Sequence, residues 1–399
     1  MPVLFLIVVV DLIGFGVVIP LLPFYAEYYN ASPDQVGLLM AIYSAAQFIA
    51  APFWGRLSDR VGRKPVLMLS MAGAVGAYVW LGLAESLVSL FLARALSGFM
   101  AGNIATAFAY VADVTTKEDR AKGMGMMGAA FSIGFIIGPA IGGVIAGADP
   151  NNADFRTPCF VAAGLSALAL VSGLFILKES LSPEARARLN AQGRSGRMKA
   201  LMEALSTPGI RVLIILSFAA TLVFSALEAT FAMWSSREFG WGPLQNGYLF
   251  ALIGVLAAIV QGGLLGKLAK RFGVERLIVI GAIALSVGLA VVPFVTTSTQ
   301  LVLAMTIAAL GFGILSPSLN TAISVRGDND VQGGLMGVTR SATTLSRVVG
   351  PAMGGMVFAV VGRHAPYFAG ALIMAIVAIV ALLALFNRRA QAKTQTKTK

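Results

Sequence analysis

The stretch "GRLSDRVGRKP", Gly55 to Pro65, crowds arginine, aspartate and lysine into a short connection between two long apolar runs. Elsewhere charge is scarce, because only 12% of the 399 residues are charged and 57% are hydrophobic. Apolar runs of roughly 20 residues recur along the chain, and each could cross a bilayer as a helix. The ~10-residue alternation of apolar and polar residues typical of a transmembrane β-barrel is absent. The sequence therefore indicates an all-α polytopic membrane protein.

The apolar runs predict twelve spans, divided by a polar stretch from Lys178 to Pro208. This predicts an N-terminal six-helix lobe (1–178), a cytoplasmic linker (179–208), a C-terminal six-helix lobe (209–387) and a basic cytoplasmic tail (388–399). The linker could form short helices on the membrane surface. Most of the 30 lysines and arginines lie in loops on one side, which predicts that both termini are cytoplasmic. The net charge of +12 therefore reflects orientation and does not indicate nucleic-acid binding.

The two halves of the sequence repeat each other. "GRLSDRVGRKPVL" from Gly55 matches "GKLAKRFGVERLI" from Gly266, and "GPAIGG" from Gly138 matches "GPAMGG" from Gly350. "LFLA" from Leu90 likewise matches "LVLA" from Leu301 at nearly the same spacing. A six-helix unit duplicated in parallel orientation is the architecture of a two-lobed transporter, whose site lies near the membrane midplane.

Four motifs together resemble those of the major facilitator superfamily, in its branch of twelve-span drug:proton antiporters. "GRLSDRVGRK" resembles the signature loop between spans two and three, and "RALSGFMAG" from Arg94 resembles the fourth-span motif. "GFIIGPAIGG" from Gly134 resembles the fifth-span antiporter motif, and "VVVDLIGFGVVIPLLP" from Val8 resembles the first-span motif of drug-efflux members. The resemblance implies two pseudo-symmetric lobes and proton-coupled export of drugs, with a role in antibiotic resistance.

The chain also resembles tetracycline efflux proteins in its first span and in "YSAAQFIAAPFWGRLSDRVGRKPVL". It departs from them in three spans. Neither the third span, Pro65 to Ala84, nor the ninth, Leu277 to Phe294, contains an acid, and the eighth carries Gln261 but no histidine. These departures weigh against tetracycline as the substrate.

The charged loop is predicted to form a cytoplasmic gate. Asp59 could accept hydrogen bonds from Arg60 or, by the family pattern, from the start of the eleventh helix near Gly333. Arg63 would pair with Asp113. The repeat copy has Lys270 and Val274 at the positions of Asp59 and Arg63, so only the first copy is expected to keep the network. The alternative is a plain orientation signal. The predicted gate residues are Gly55, Asp59, Arg60, Gly62, Arg63 and Asp113.

Charges inside predicted spans are expensive and are functional hypotheses by default. Asp11 is predicted as a proton or cation site and Glu228 as a proton site, because burial favours the protonated form of a carboxyl group. Both acids are expected to face the central cavity. The alternatives are a hydrated Asp11 near the membrane boundary and a structural salt bridge from Glu228 to an arginine of span eleven. Arg94 resembles the fourth-span arginine that the family ties to proton coupling.

Small residues of the fifth-span motif, Gly138, Pro139, Gly142 and Gly143, predict close helix packing with a bend, and a tight seam could limit proton leak.

The substrate cavity is predicted from polar and aromatic residues inside the spans, each of which could instead be packing. Arg340 and Arg347 require anionic partners and argue against a purely cationic substrate range, although Arg340 could extend to the membrane surface. The predicted set is Phe15, Gln47, Asn103, Phe231, Trp234, Tyr248, Asn320, Arg340 and Arg347.

The sequence thus predicts a proton-coupled exporter of small amphipathic molecules, embedded in the inner or plasma membrane as a monomer. The proton gradient supplies the energy, so no cofactor is expected. One cysteine and one histidine leave no metal site. No set of residues supports an enzyme. The rival hypothesis is a dedicated carrier of a lipid, sugar or metabolite in the same fold, and a channel fits the gate poorly.

Overall fold

The computed structural model describes residues 2–116, 119–181, 202, 205–326 and 332–397, and none of these forms a β-strand. Eleven helices in this part are long and apolar enough to cross a membrane. A further helix, Gln332–Val360, is as long but carries Arg340 and Arg347. Together they form the predicted twelve spans. In chain order they are α1 Leu4–Tyr28, α2 Pro33–Val61, α3 Arg63–Gly82, α4 Leu87–Val114, α5 Lys122–Ala146, α6 Arg156–Ile176, α7 Gly209–Phe239, α8 Pro243–Phe272, α9 Val274–Phe294, α10 Ser298–Arg326, α11 Gln332–Val360 and α12 Ala365–Ala384.

The charged loop is hardly a loop in the structure. Helix α2 begins after Ser32 with a capping box, in which Gln35 Oε1 accepts the Ser32 N–H over 3.0 Å. It ends at Gly62, whose φ of 110° is a conformation that favours glycine. Helix α3 starts at the next residue, Arg63. One glycine therefore makes the whole turn, and charges from both helix ends come together there.

Several spans are interrupted. Residues Ile19–Leu21 form a short 3₁₀ segment in α1 around Pro20, and the pattern of α4 breaks at Gly102 and Asn103. In α8, Val260–Leu264 forms a single π turn. Such breaks occur where proline or glycine weakens the helical hydrogen-bond ladder.

The chain divides into two compact units, and the first contains segments from both halves of the sequence. Unit 1 contains Met1–Gly193, Glu228–Val255 and Arg347–Val360, and unit 2 contains Arg194–Leu227, Leu256–Ser346 and Val361–Lys399. In unit 1, α1 packs on α5 and α6, α2 on α4, and α3 on α4 and α6. In unit 2, α9 packs on α10 and α12. The lobe boundaries predicted above stay a prediction, and most of the linker lies outside the described residues.

Candidate functional site

The acid of the first span is held by a neighbouring helix. Asp11 is partly buried, and its Oδ1 accepts a hydrogen bond from Ser166 Oγ of α6 over 3.0 Å. Within the described part of the chain it forms no ion pair. A carboxylate inside a membrane with one hydroxyl partner is costly as an anion. The position is therefore chemically suited to bind and release a proton.

Arg94 of α4 is buried without the partners that a guanidinium normally has. Its exposed fraction is 2%, and its Nε and Nη1 have no hydrogen-bond partner among the described residues. Its guanidinium carbon lies 4.4 Å from the centroid of the Tyr43 ring. This cation–π contact offsets part of the desolvation cost, but the two nitrogens can still bind an acceptor oxygen.

Two tyrosines connect this cation to the acid of α1. Tyr43 of α2 and Tyr78 of α3 are both buried, and each interacts electrostatically with both Asp11 and Arg94. The Phe15 ring lies 5.1 Å from that of Tyr43. The structure thus assembles four polar side chains inside unit 1. The sequence analysis singled out only the two charged side chains of this group.

The second predicted proton site, Glu228 of α7, faces a charged residue of α11. Glu228 is partly buried and interacts electrostatically with Arg347, which is exposed. No ion pair joins them, nor does Glu228 pair with any other cation of the described residues. The predicted alternative, a structural salt bridge, is therefore absent there. Arg340, two turns before Arg347, is also exposed.

The remaining predicted cavity residues differ in their surroundings. Gln47 Nε2 donates to the Ala101 carbonyl over 3.2 Å, and Asn103 Nδ2 donates to Ser70 Oγ, so both amides link helices of the first half. Phe231 and Trp234 are 0% and 1% exposed and pack against each other. Tyr248 and Asn320 are exposed. Only Phe15 contacts the group around Tyr43 through an aromatic ring.

The predicted partner of Arg63 is in place. Arg63 Nε lies 3.2 Å from Asp113 Oδ2 at the end of α4, and Nη1 lies 2.6 Å from Asp59 Oδ1 and 2.7 Å from Ser58 Oγ. The Arg63 side chain is only 7% exposed. Two carboxylates therefore satisfy one buried guanidinium, the arrangement that makes a buried charge tolerable. We call Ser58, Asp59, Arg63 and Asp113 the Arg63 network.

Two residues of the predicted gate take no part in this network. Asp59 accepts its hydrogen bond from Arg63 and not from Arg60, which is exposed because it lies on the other face of the last turn of α2. Gly55 has open space around it, since nothing lies within 4 Å of where a Cβ would stand. Of the two glycines only Gly62 has a backbone conformation that favours glycine.

Among the described residues the second half has an ion pair between the corresponding two spans, although Lys270 and Val274 do not reproduce the network of the first copy. Arg326 at the end of α10 donates from Nη2 to Glu275 Oε1 over 2.9 Å. Glu275 stands where Lys64 stands in the first copy, next to the Arg63 position, so the acid lies on α9 here whereas the base lies on α3 in the first copy. The repeat preserved a link between the same two spans and changed its polarity.

The fifth-span motif packs α5 tightly against two helices. A Cβ on Gly138 would lie 2.6 Å from the Gly16 Cα of α1, and one on Gly142 would collide with the Val17 carbonyl. One on Gly143 would lie 2.7 Å from the Pro243 carbonyl oxygen at the start of α8. Only glycine permits such contact, so these positions form a close seam.

Comparison with known proteins identifies the family. The sequence profile of the Major Facilitator Superfamily matches residues 4–347 and, in an overlapping second match, residues 263–399. The chain belongs to the Major Facilitator Superfamily. The resemblance seen in the sequence motifs is thereby confirmed, and so is the fold of twelve transmembrane helices.

Among its relatives in the superfamily is Multidrug resistance protein 2 of Bacillus subtilis, 33% identical over 90% of this chain and 89% of that protein. Tetracycline resistance protein, class B, of Escherichia coli is 31% identical over 90% of this chain and 87% of that protein. The crystal structure of the human organic anion transporter MFSD10 superimposes with a TM-score of 0.70 at 24% identity, covering 95% of this chain and 98% of that one. At this identity it supports the fold alone.

One feature of this superfamily member escaped sequence reasoning. At the ends of α1 and α7, Arg237 Nη2 donates to Glu27 Oε1 over 2.7 Å, and the Arg237 guanidinium carbon lies 5.2 Å from the centroid of the Phe358 ring of α11. These ends lie on the side of the membrane opposite the Arg63 network, because each helix crosses once. Arg237 is one of the few basic residues predicted on that side of the membrane, and this rarity was the one feature of the sequence that could have indicated a special role for it.

Proposed function

We propose that this protein exports small amphipathic molecules in exchange for protons by alternating access. The observation that carries the proposal is a pair of partly buried acids, Asp11 and Glu228, that form no ion pair with any described residue. They lie in a superfamily member with relatives named for multidrug and tetracycline resistance. The protein acts as a monomer in the cell inner or plasma membrane, with both termini in the cytoplasm. It is not an enzyme, it needs no cofactor beyond the proton gradient, and it binds no nucleic acid.

Asp11 and Glu228 carry the protons in this mechanism. Protonation from the outside neutralises them and favours one orientation of the protein, while substrate binds in the other protonation state. Each ligand shifts the equilibrium only by its difference in affinity for the two states. Arg94 supports the coupling, because its buried guanidinium has two nitrogens without a hydrogen-bond partner among the described residues and shares the electrostatic neighbours Tyr43 and Tyr78 with Asp11.

The substrate is held by apolar surface with a few polar anchors, as is usual for small-molecule sites. Phe15 and Tyr43 supply neighbouring aromatic rings near Arg94, and Arg347 supplies an exposed cation near Glu228. Opposite charges at each place suit ligands that carry a polar or charged group on an apolar body.

Two gates on opposite sides of the membrane make access alternate. The Arg63 network is the cytoplasmic gate and holds helix ends together while the outside is open. The seam of α5 against α1 and α8, with the Glu27–Arg237 pair, closes the outer side. Both sets of contacts are present in this structure, and export requires that each opens in turn.

The decisive experiment is transport by purified protein in liposomes with an imposed pH gradient. Cationic dyes, tetracycline and zwitterionic antibiotics are screened for flux coupled to proton movement. We expect uptake driven by the gradient for part of the panel, and its loss in Asp11→Asn and Glu228→Gln. The matched control is Asp34→Asn in the first turn of α2. Gradient-driven flux that persists in both acid variants would refute the assignment of the proton sites.

A second candidate function is a dedicated carrier of a lipid, sugar or metabolite. The observation that favours it is the pair of exposed arginines on α11, Arg340 and Arg347, which suits an anionic group. The same liposomes distinguish the two functions. Saturable flux of one anionic compound class, with none for the dyes and antibiotics, would establish the carrier.

A further inference from the structure

The chain leaving α6 is fastened to the first half of the protein. The segment Leu177–Leu181, which we call the strap, begins and ends with leucines that are each 4% exposed. Tyr110 of α4 donates from its hydroxyl to the Lys178 carbonyl over 2.7 Å. Lys64 Nζ donates to the Leu174 carbonyl, just before the strap, over 2.9 Å. The strap is therefore an ordered element packed against the starts and ends of other spans.

Glu179 of the strap completes the first turn of α3. Its Oε1 accepts the backbone N–H of Arg63 over 2.9 Å, and its Oε2 accepts that of Lys64 over 3.1 Å. Backbone N–H groups in the first turn have no partner within the helix, and the N-cap residue Gly62 has no side chain to supply one. A carboxylate 116 residues along the chain thus takes the place of a local cap.

The charge of Glu179 is favourable where it lies. Partial burial raises the pKa of its carboxyl. Hydrogen bonds from the backbone N–H groups of Leu181, Arg63, Lys64 and Ser180 together lower the pKa by more than burial raises it, so the pKa lies below its usual value. The N-terminal end of a helix also attracts an anion. Glu179 is therefore ionised at neutral pH and accepts strong hydrogen bonds.

The strap also reaches the Arg63 network directly. Ser180 Oγ donates to Asp113 Oδ2 over 3.1 Å, and the same oxygen accepts from Arg63 Nε. Two neighbouring strap residues thus bind the two members of the Arg63–Asp113 pair. Glu179 binds the backbone of Arg63, and Ser180 binds the carboxylate of Asp113. Movement of the strap would shift both partners together.

We propose that Glu179 is a positioning residue for the Arg63 network, holding the first turn of α3 so that the Arg63 guanidinium reaches Asp59 and Asp113. This rests on the gating role given to that network above. The strap contains the first residues of the predicted linker, so this start of the connection between the halves acts on the gate.

The test combines Glu179→Gln with Arg63→Lys in a double-mutant cycle of transport. Gln presents an NH₂ where an oxygen accepted an N–H, and Lys cannot bind two carboxylates as a fork. We expect Glu179→Gln to lower maximal flux about tenfold, the scale of one charge-assisted hydrogen bond, with substrate KM unchanged and only a small fall in melting temperature. The double variant should be no slower than Arg63→Lys alone, because coupled residues are not additive.

Glu85→Gln, at an exposed loop residue, is the matched control and should transport like wild type. Ser180→Ala, which leaves Glu179 in place, should give a smaller loss of the same kind. Flux losses that multiply in the double variant, or a Glu179→Gln variant as active as Glu85→Gln, would overturn the proposal. A lowered melting temperature with normal flux per folded molecule would also overturn it, because it would indicate a purely structural role.

Amide hydrogen exchange distinguishes this inference from the proposed function. The peptide containing Arg63 and Lys64 should exchange about tenfold faster in Glu179→Gln than in Glu85→Gln, since a lost hydrogen bond opens the first turn. Unchanged exchange would refute the contact itself, whatever the flux. Faster exchange in a protein that shows no proton-coupled flux would instead place the failure in the proposed function.

Discussion

Gly143 of α5 and Gly247 of α8 face each other so closely that a Cβ on Gly143 would lie 3.2 Å from the Gly247 Cα. The same relationship recurs between α11 and α2, where a Cβ on Gly355 would lie 2.9 Å from the Gly37 Cα. The repeat relates Gly143 to Gly355 and Gly37 to Gly247. Both crossings lie within unit 1 and join a helix of the first half to a helix of the second. The duplication thus made a pair of equivalent glycine crossings.

These crossings predict a sharp effect of a single methyl group. Gly143→Ala would force the Pro243 carbonyl away, and overpacking of this kind costs roughly 1–3 kcal/mol. We expect the variant to disfavour the conformation seen here and to lose most of its transport. Gly128→Ala on the same helix is the control, because nothing lies within 4 Å of that position. Equal flux of the two variants in liposomes would show that transport does not require the close contact of α5 and α8 at Gly143 and Gly247.

The Glu27–Arg237 pair predicts rescue by exchange of charge. Both side chains are partly exposed, at 25% and 37%, so the pair contributes at most about 1 kcal/mol. Glu27→Arg places two cations together and should lower maximal flux several-fold by favouring the separated state. Adding Arg237→Glu should restore much of the loss, although the contact with Phe358 is not recovered. A double variant as impaired as the single one would argue against a direct pairing.

Charge reversal in the Arg63 network should abolish transport without loss of protein. Asp59→Lys would set a cation against the Arg63 guanidinium at the place of its shortest ion pair, 2.6 Å. Arg63 would keep its pair with Asp113, so we expect the fold to survive while the link between the ends of α2 and α3 is lost. We expect normal amounts in the membrane with no measurable flux. The control is Arg56→Glu, which reverses the charge of an exposed residue one turn earlier and should leave transport intact. Full activity of Asp59→Lys would refute the gating role of the Arg63 network.

The lowered pKa of Glu179 predicts that the strap does not contribute to any pH dependence of transport near neutral pH. Because its folded pKa is below the unfolded value, its stabilising contribution is complete above the unfolded pKa and is lost only as the pH falls through the folded one, in acid. Glu179→Gln should therefore lower flux by the same factor throughout about pH 6 to 8. Transport rates of the variant and the wild type, measured across this pH range at a fixed pH gradient, check this prediction. A pH–rate profile of different shape in the variant would contradict it.

Parts of the site were predictable because charge inside a membrane is conspicuous. Asp11, Glu228 and Arg94 stand out against apolar neighbours, and the Arg63–Asp113 pair followed from the motif. The partners that define their chemistry were not predictable. Tyr43, Ser166 and Glu179 are ordinary residues far along the chain, and only packing brings them within bonding distance of the conspicuous ones.

The sequence by itself determined the twelve spans, the duplication and the family. A membrane-spanning helix satisfies its own backbone hydrogen bonds, so its signal is local and survives in composition and spacing. Tertiary structure alone decided that Glu179 caps α3, that Glu27 pairs with Arg237, and that Arg94 lies over Tyr43 without other partners for its Nε and Nη1 among the described residues. These depend on which helix faces meet, because contacts between distant residues are set by close packing of side chains and leave no periodic trace along the chain.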